Sequence, residues 1–317
     1  MTWFPPESAT IRAVAILVAF CVDRVLGEPP SRFHPVVWMG KALSSTGAPW
    51  AQASQRIAFA RGAAAWMMGA AFTSAVAWAA VVLIQLAIAT NSIVGELAQA
   101  ALLGVLLKPL LSWRMLSQEV AAVECALETG IEAGRTRLQR LVSRDTTRLS
   151  MIEVRESALE SLAENFNDSF VAPIFWFVIG GLPAAALYRF ANTADAMWGY
   201  RGRWEWSGKW AARADDLLSY IPARLTAAIL ALSAWHTPSK LSRIARVTPS
   251  PNGGWPMGML ALALKVRLSK PGVYVLNSAG VAVEAHHMRA GLRVCERAAY
   301  LTVALSAAMS FIVSRWP

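Results

Sequence analysis

The chain has 317 residues, of which 56% are apolar and only 16% are charged, and its mean hydropathy is +0.40. Soluble domains typically carry about 25% charged residues, so this composition excludes an ordinary soluble globular domain and indicates that lipid is part of the solvent. The net charge of +10 comes from basic residues between apolar runs, as the positive-inside rule describes. We therefore attribute the charge to membrane topology and predict no nucleic-acid partner.

The first half of the chain contains two long apolar runs. Ala63–Ala89 is long enough to cross about 30 Å of hydrocarbon as a helix. After a polar break at Thr90-Asn91-Ser92, the run Ile93–Leu111 follows, and the two together predict a helical hairpin. The earlier stretch Ala13–Val22 is interpreted as part of a retained membrane segment, because the features of a cleavable signal peptide are missing around it.

The second half contains three apolar runs that are short or broken. Phe170–Tyr188 is interrupted by prolines and by Gly180-Gly181, Leu217–Trp235 contains Pro222, and Tyr300–Val313 is short. Broken segments occur at membrane depth only where protein or a water-filled cavity satisfies the freed backbone groups. We predict that one of these broken runs is re-entrant.

A polar, arginine-rich segment at about residues 112–168 separates the two halves. Its positive charge predicts a position on the cytoplasmic side of the membrane. The fold predicted for the chain is all-α: a polytopic helical membrane protein with broken or re-entrant helices and large cytoplasmic connections. We predict a single membrane-embedded domain over residues 1–317.

Several familiar kinds of active site find no support in the sequence. The nucleotide P-loop, the dinucleotide fingerprint and the zinc-protease and serine-hydrolase motifs are all absent. Cys21, Cys125 and Cys295 are far apart and form no C-x-x-C motif. They are therefore predicted to be reduced, without a disulfide framework or a structural zinc.

Polar clusters beside the apolar runs carry the candidate chemistry. The first, Asp23 to Pro29 followed by His34, combines a turn with carboxylates and a possible base. The second is acidic, and its members fall within one sector of a helix: Glu153, Glu156, Glu160, Glu164 and Asp168. Because these carboxylates repel one another, they predict either a Mg²⁺ site, whose ligands are oxygens, or a solvated face paired with arginines.

Three further clusters follow along the chain. They are Asn192 to Tyr200, Arg213 to Arg224 with the pair Asp215-Asp216, and the turn Ser250 to Pro256. Adjacent carboxylates with flanking arginines can bind a metal–phosphate unit and its charge together. Arg224 enters an apolar run, which is unfavourable for an ion, and it is therefore interpreted as functional.

Taken in order, these clusters resemble the cobalamin biosynthesis protein CobD/CbiB family, the adenosylcobinamide-phosphate synthases. The resemblance spans about Ala9 to Leu268. It is carried by Asp23 to Pro29, His34-Pro35-Val36, Ser143-Arg144-Asp145-Thr146, Glu156-Ser157 through Glu164-Asn165 to Asp168, Ala172-Pro173 with Phe175-Trp176, Asn192-Thr193 with Asp195, Met197 and Gly199-Tyr200, Arg213 with Asp215-Asp216, Ile221-Pro222-Ala223-Arg224, and Ser250-Pro251-Asn252. Mild departures from the family pattern are Glu28, Ala196 and Ser219. A larger departure is Ser269-Lys270-Pro271-Gly272, which replaces an expected glycine-rich stretch.

The resemblance implies a multi-pass enzyme of the cell inner membrane. Such an enzyme is a carbon–nitrogen ligase of vitamin B12 biosynthesis, with ATP and Mg²⁺ as cofactors. It joins the corrinoid adenosylcobyric acid to (R)-1-amino-2-propanol, or to its O-phosphate, through an amide bond. The sequence leaves open which amine is used, whether the protein is a homo-oligomer, and whether other corrinoid-pathway enzymes bind it.

The positions of the clusters suggest a hypothesis for the roles of individual residues. The predicted metal ligands are Glu164, Asp168, Asp215 and Asp216. The residues predicted to bind substrate or phosphate are Arg144, Asp145, Asn192, Arg213 and Asn252. Asp195 or His34 is the predicted base, and Arg224 is a cation for developing charge.

Two other classes of function compete with the ligase. A membrane transporter would explain charges within apolar runs, namely Glu96, Lys108 and Arg224, and the broken helices. A non-catalytic corrinoid sensor or partner protein could share the scaffold without the chemistry. Transport would appear as substrate accumulation in vesicles without amide formation, and a sensor would bind the corrinoid without turning it over.

Overall fold

The structure is a computed structural model that describes residues 8–47, 53–88, 92–200, 202, 204–236 and 239–313. Its helices are α1 (Ala9–Leu26), α2 (Pro35–Gly47), α3 (Gln55–Ala87), α4 (Ile93–Leu107), α5 (Trp113–Thr129), α6 (Ile131–Leu138), α7 (Met151–Phe166), α8 (Ala172–Trp198), α9 (Lys209–Leu218), α10 (Tyr220–Ser233), α11 (Leu241–Ala245), α12 (Gly254–Leu264) and α13 (Ala285–Val313). Two short strands, β1 (Leu268–Lys270) and β2 (Tyr274–Leu276), lie between α12 and α13. Short 3₁₀ turns cover Ser31–Phe33 and Lys108–Leu110, and a π-helical turn covers Asn167–Val171.

Among the described residues, four helical stretches are long and apolar enough to cross a bilayer: Gln55–Ala87, Ile93–Thr129, Met151–Trp198 and Ala285–Val313. Helices α9 and α10 would form a fifth candidate span if they are counted together as one broken helix. The predicted all-α, multi-pass membrane fold is therefore confirmed. Of the predicted hairpin turn, Thr90 and Asn91 lie outside the described residues. The assignment of Ala13–Val22 to a membrane segment stays a prediction, although these residues do lie in helix α1.

Helix α8 is broken where the sequence predicted an interruption. Gly180 and Gly181 leave the helical conformation, and Gly181 has a φ of +64°, which favours glycine because it has no Cβ. A guanidinium from α1 lies at this break, since Arg12 Nη1 donates to the carbonyl of Val178 at 3.1 Å. A side-chain donor thus lies where the backbone hydrogen bonding of a helix is interrupted, and buried backbone groups near such a break require partners.

The chain divides into two compact units. The first unit comprises Met1–Ser112, Ala172–Ser219 and Val303–Pro317, and the second comprises Trp113–Val171 and Tyr220–Thr302. In the first unit α1 packs on α4, and α8 packs on both α2 and α3. One apolar cluster in this unit consists of Leu43, Ala70, Phe190, Ala194, Trp198 and Ala211. The single domain over residues 1–317 stays a prediction.

In the second unit the polar segment predicted at residues 112–168 folds into three helices. Helix α5 packs against α6 and α7, and Trp113 lies edge-on to Phe166 with ring centroids 5.3 Å apart. The strands form an antiparallel hairpin with Leu268 opposite Leu276. The hairpin was not predicted from the sequence, although a Pro-Gly turn followed by Val273-Tyr274-Val275 is a recognised signal. Cys21, Cys125 and Cys295 are free thiols, as predicted.

Glycine at position 62 of α3 allows the turn before α9 to approach closely. A Cβ added there would lie 2.0 Å from the carbonyl oxygen of Ser207, whereas one added at Gly40 of α2 would lie 3.6 Å from Met197 Sδ. We expect Gly62→Ala to destabilise the protein by about 1–3 kcal/mol, because backbone must shift to admit the methyl group. Thermal unfolding in detergent measures this, with Gly40→Ala as the matched control. An unchanged midpoint for Gly62→Ala would contradict the packing described for α3.

Candidate functional site

A buried chain of charged side chains lies at the end of α1 in the first unit. Lys108 Nζ is 3.2 Å from Asp23 Oδ1 and 2.9 Å from Glu28 Oε2. The same Glu28 oxygen lies 3.0 Å from His34 Nε2. The side chain of Asp23 is fully buried and that of Lys108 is 3% exposed. Lys108 therefore neutralises carboxylates that the apolar surroundings would otherwise disfavour.

Local features of the sequence bring this cluster together. Helix α1 ends at Gly27, whose positive φ of 72° turns the chain and whose N–H donates to the carbonyl of Asp23. A 3₁₀ turn at Ser31–Phe33 then leads to His34, directly before α2. Lys108 follows the last residue of α4, which packs against α1. The first polar cluster predicted from the sequence thus gains its counter-ion from a distant position in the chain.

The surroundings of His34 suit the role of a base. Two effects oppose each other at Glu28. Burial raises its pKa, but the hydrogen bonds and charges of His34 and Lys108 lower it by more, so the pKa lies below its usual value. Glu28 is thus a carboxylate at neutral pH, and its Oε2 lies within hydrogen-bond distance of His34 Nε2. The other nitrogen, Nδ1, is buried and has no hydrogen-bond partner among the described residues. When the proton of the imidazole is on Nε2, Nδ1 has a lone pair with which to accept another, and the catalytic role of His34 stays a prediction.

A second polar group in the first unit joins the end of α8 to α9. Asn192 accepts a hydrogen bond from Arg189 Nη1 at 3.2 Å and donates through Nδ2 to Asp215 Oδ1 at 3.4 Å. Asp195 lies near the end of α8, where a Cβ at Gly199 would fall 2.0 Å from its Oδ1 atom. The structure thus brings Asn192 and Asp215 together. The other predicted residues of α9 are Arg213, which is exposed, and Asp216, which is half-buried.

A cavity of about 150 Å³ lies in the second unit, with charged groups of both signs in its wall. The wall is formed by residues 141–144, by Glu160, Ser161, Glu164 and Asn165 of α7, and by Lys270 and Tyr274 of the hairpin. Arg144 Nη2 donates to Glu160 Oε2 at 3.0 Å and to Ser157 Oγ at 2.5 Å. The predicted binding residue Arg144 is therefore fixed by α7 at the edge of this cavity.

Helix α7 presents its carboxylates as the spacing predicted, but two of them are buried. The helix begins at a capping box, in which Ser150 and Glu153 exchange side-chain and backbone hydrogen bonds. One turn and two turns later, Glu156 is 0% and Glu160 is 4% exposed. The alternative of a solvated face paired with arginines is therefore wrong about solvation for these two residues, but Arg144 pairs with Glu160 and Arg267 with Glu156 as it expected. Glu164, one further turn along, is exposed.

The β-hairpin is fastened to α7 by the buried Glu156. Ser269 Oγ donates to Glu156 Oε2, and Arg267 Nε lies 3.6 Å from Glu156 Oε1. These contacts place the hairpin residues Lys270 and Tyr274 at the cavity. Burial, together with the neighbouring charges of Glu160 and Glu164, raises the pKa of Tyr274. Tyr274 therefore remains a neutral hydrogen-bond donor at physiological pH.

Two other predicted binding residues of the second unit contact each other. Arg224 Nη1 donates to Asn252 Oδ1 at 3.0 Å and to the carbonyl of Tyr220 at 2.6 Å. Its guanidinium carbon lies 3.4 Å from the ring centroid of Tyr220 and 4.7 Å from that of Trp255. Stacking and hydrogen bonds hold this cation in one orientation. Its catalytic role stays a prediction.

The remaining predicted residues of the second unit lie in a turn and at the end of α7. Asp145 is exposed and accepts hydrogen bonds from the backbone and side chain of Thr147, which lower its pKa. Asp168 lies in the π-helical turn, where its Oδ1 accepts a hydrogen bond from Asn167 Nδ2 at 2.7 Å. Asn167 in turn accepts one from Thr226 at 2.8 Å. Asp168 is thus oriented by a buried amide.

Two of the predicted Mg²⁺ ligands, Glu164 and Asp168, belong to the second unit, and the other two, Asp215 and Asp216, belong to the first. Within the described ranges, no group of three or more His, Cys, Asp or Glu side chains is arranged to hold a metal. Mg²⁺ commonly uses one or two carboxylates, with substrate phosphates and waters as its other ligands. Each pair has donor chemistry that fits this ion, and the metal assignment stays a prediction.

Comparisons with known proteins identify the family. Residues 16–301 match the family described as "CobD/Cbib protein". The chain belongs to this family. The "Probable cobalamin biosynthesis protein CobD" of Methanothermobacter thermautotrophicus is 38% identical over 278 residues, which are 83% of this chain and 86% of that protein. The resemblance seen in the sequence is therefore confirmed.

Two further relatives of the CobD/Cbib family show the same extent of similarity. The "Cobalamin biosynthesis protein CobD" of Dehalococcoides mccartyi is 38% identical over 82% of this chain and 85% of its own. The protein of the same name in Brucella anthropi is 36% identical over 83% and 84%. No solved structure shows a significant match.

Sequence analysis left several residues of these clusters without a role. Lys108 was noted only as a charge within an apolar run, Glu28 as part of the first polar cluster and as a departure from the family pattern, and Glu160 as a member of the acidic cluster. Tyr274 was not singled out, and Lys270 was noted only as part of a departure from the family pattern. The available signal for Lys108 was a charge at the end of an apolar helix. The available signal for Lys270 and Tyr274 was the Pro-Gly turn between them.

The buried pairing at Lys108 gives a stability prediction. We expect Lys108→Met to destabilise the protein by about 3–5 kcal/mol, because it leaves Asp23 and Glu28 buried without their cation. The double variant Asp23→Asn with Lys108→Met is expected to lose less than the sum of the single changes. Thermal unfolding in detergent measures both, and Glu132→Gln, which removes an exposed ion pair with Arg135, serves as the control. Strict additivity would show that the pairing contributes nothing.

Proposed function

We propose that this chain is the amide ligase of cobalamin biosynthesis that joins adenosylcobyric acid to (R)-1-amino-2-propanol or its O-phosphate. The observation that carries the proposal is the family match over residues 16–301. The names of the relatives assign those proteins to cobalamin biosynthesis. The polar clusters described above supply the kinds of groups that such a reaction needs. We further propose that the membrane is the cell inner membrane, where ATP and the soluble substrates are available on the cytoplasmic side.

The chemistry sets three requirements for the protein. A carboxylate is a poor acyl donor, so the propionate of the corrinoid must be activated before an amine attacks it. ATP with Mg²⁺ would supply the phosphoryl group for that activation. The protein must hold phosphate charge, bind the carboxylate and remove a proton from the amine.

The residues of the first unit fit the metal and base roles in this scheme. Asp215 and Asp216 would bind Mg²⁺, with Asn192 holding Asp215 in position through its hydrogen bond. His34 would accept the proton of the amine at Nδ1, since Glu28 occupies its Nε2. Asp195 is the other candidate base, and Arg213 would bind phosphate or carboxylate.

The residues of the second unit fit the binding of anionic groups. Arg144 is held by Glu160 and Ser157 at the cavity and retains a further N–H group, Nη1, for a ligand. Arg224 is oriented by two aromatic rings and Asn252 and would stabilise developing negative charge. Glu164 and Asp168 would provide further oxygen ligands to Mg²⁺.

An amide-formation assay tests the proposal directly. Protein purified in detergent would receive adenosylcobyric acid, Mg-ATP and either aminopropanol or its phosphate, with products identified by mass. A corrinoid product that has gained the amine is the expected result. Corrinoid binding without any product, under conditions in which a family relative turns over, would support a sensor instead. Accumulation of unchanged substrate in vesicles would support a transporter.

The carboxylate pair on α9 gives a prediction for activity. We expect Asp215→Asn and Asp216→Asn each to lower amide formation about 100-fold or more. Each substitution removes a carboxylate that would bind the Mg²⁺ ion, and that ion would balance the negative charge of the reacting phosphate. Asn192→Ala should cost about 10- to 100-fold and raise the Mg²⁺ concentration needed for half-maximal rate, since Asp215 loses its positioning partner. Glu205→Gln, at a partly exposed acid outside the cluster, is the control. Full activity in both aspartate variants would remove them from the metal site.

A further inference from the structure

Three arginines of α13 form an exposed row along one face of the helix. Arg289, Arg293 and Arg297 follow one another at intervals of four residues, so they fall within a sector of about 80°. All three side chains are exposed, and within the described part of the chain none of them has an ion pair or a hydrogen bond. We call this row the α13 arginine stripe. It carries three positive charges that the described protein groups leave without a partner.

Other arginines of the second unit differ from the stripe because they have carboxylate partners. Four of them lie 2.5 to 3.0 Å from a glutamate: Arg135, Arg137, Arg144 and Arg155. The acid closest to the stripe in the sequence is Glu296, and one of its carboxylate oxygens accepts a hydrogen bond from Trp113 Nε1 at 2.9 Å. The stripe is therefore open to a partner from outside the chain.

The helix that carries the stripe continues directly into an apolar segment. Residues 298–313 are uncharged, and their exposed side chains include Leu305, Met309 and Ile312. At 1.5 Å per residue this segment is about 24 Å long, which is less than the roughly 30 Å of a hydrocarbon core. A short span brings its flanking charged residues into the headgroup layer, where long basic side chains reach the phosphates. Tyr300 is exposed at this boundary, where aromatic residues are enriched in membrane proteins.

We propose that the α13 arginine stripe binds the phosphate groups of anionic phospholipids at the surface of the membrane that α13 enters. The guanidinium group suits this partner because it donates two parallel hydrogen bonds to phosphate oxygens. The stripe consists of cations, which favours anionic headgroups over zwitterionic ones. Its continuity with the apolar segment of the same helix favours a lipid surface over an acidic protein.

The spacing of the stripe predicts an order among its three members. Arg297 directly precedes the uncharged segment, whereas Arg293 lies about 6 Å and Arg289 about 12 Å further along the helix axis. The attraction of a basic side chain to an anionic surface falls off within a Debye length, which is about 8 Å at physiological ionic strength. Arg297 therefore contributes most to lipid binding and Arg289 contributes least.

Native mass spectrometry, which counts the lipids that remain bound to the full chain, tests the proposal. The protein is held in detergent micelles that contain phosphatidylglycerol and phosphatidylcholine in equal amounts. We expect it to retain phosphatidylglycerol at least about fivefold over phosphatidylcholine, which corresponds to the roughly 1 kcal/mol of one arginine at an anionic surface. Added salt should reduce this preference. Equal retention of the two lipids by the wild-type protein would overturn the proposal.

Two triple variants with the same net charge locate the lipid site. In the first, glutamine replaces all three arginines of the stripe, and the preference for phosphatidylglycerol is expected to disappear. Lysine at the same three positions should retain most of the preference, because the charge remains. In the matched control, glutamine replaces three exposed arginines elsewhere in the second unit: Arg140, Arg243 and Arg246. An equal loss in the control would show that only net charge matters and would overturn the assignment to α13.

Single variants test the position of the stripe at the membrane surface. We expect Arg297→Gln to lower the preference about fivefold and Arg289→Gln by less than about twofold. Because the stripe has no ion pair or hydrogen bond with the described residues, each variant should unfold at the wild-type temperature in detergent without lipid. A larger effect of Arg289→Gln than of Arg297→Gln would overturn the proposal and would favour an acidic protein as the partner.

Discussion

Burying a carboxylate in an apolar scaffold costs several kcal/mol unless a cation and hydrogen bonds accompany it, and the described parts of this chain meet that constraint repeatedly. Lys108 neutralises Asp23 and Glu28, Arg155 forms two hydrogen bonds with Glu124, and Arg144 pairs with Glu160. The first two pairings join segments that are far apart in the sequence, whereas Arg144 lies in the turn that precedes α7. The charged residues therefore select which helices can lie together, in addition to any chemistry they perform.

This constraint explains which features the sequence could predict. Apolar runs, helical spacing and the Gly180-Gly181 interruption are local patterns, so the helices, the break in α8 and the single face of carboxylates on α7 followed from them. The partner of a buried charge is not local. Nothing near Asp23 points to Lys108, and nothing near Glu156 points to Ser269. Those pairs arise from tertiary packing, which single-sequence patterns do not encode.

The candidate site residues divide in the same way. The order of the motifs predicted roles for Asn192, Asp215 and Arg144, because a resemblance to a family carries information on long-range placement. It did not identify Glu160 or Tyr274 as parts of a cavity, because their roles depend on a hairpin that hydropathy does not reveal. The two units each hold part of the predicted set. The residues that sequence analysis missed are mainly those that orient a predicted residue or complete its charge balance.

The hydrogen bond between Arg12 and Val178 also has a consequence for biogenesis. Its two residues are separated by 166 positions, so helix α1 is synthesised long before its acceptor at the break in α8 exists. Until α8 emerges from the ribosome, the guanidinium of α1 must be solvated by water, lipid headgroups or the insertion machinery. The amino-terminal helix can therefore reach its final environment only after more than half of the chain has been translated. The contacts of the first helix are accordingly completed only by a segment that is synthesised much later.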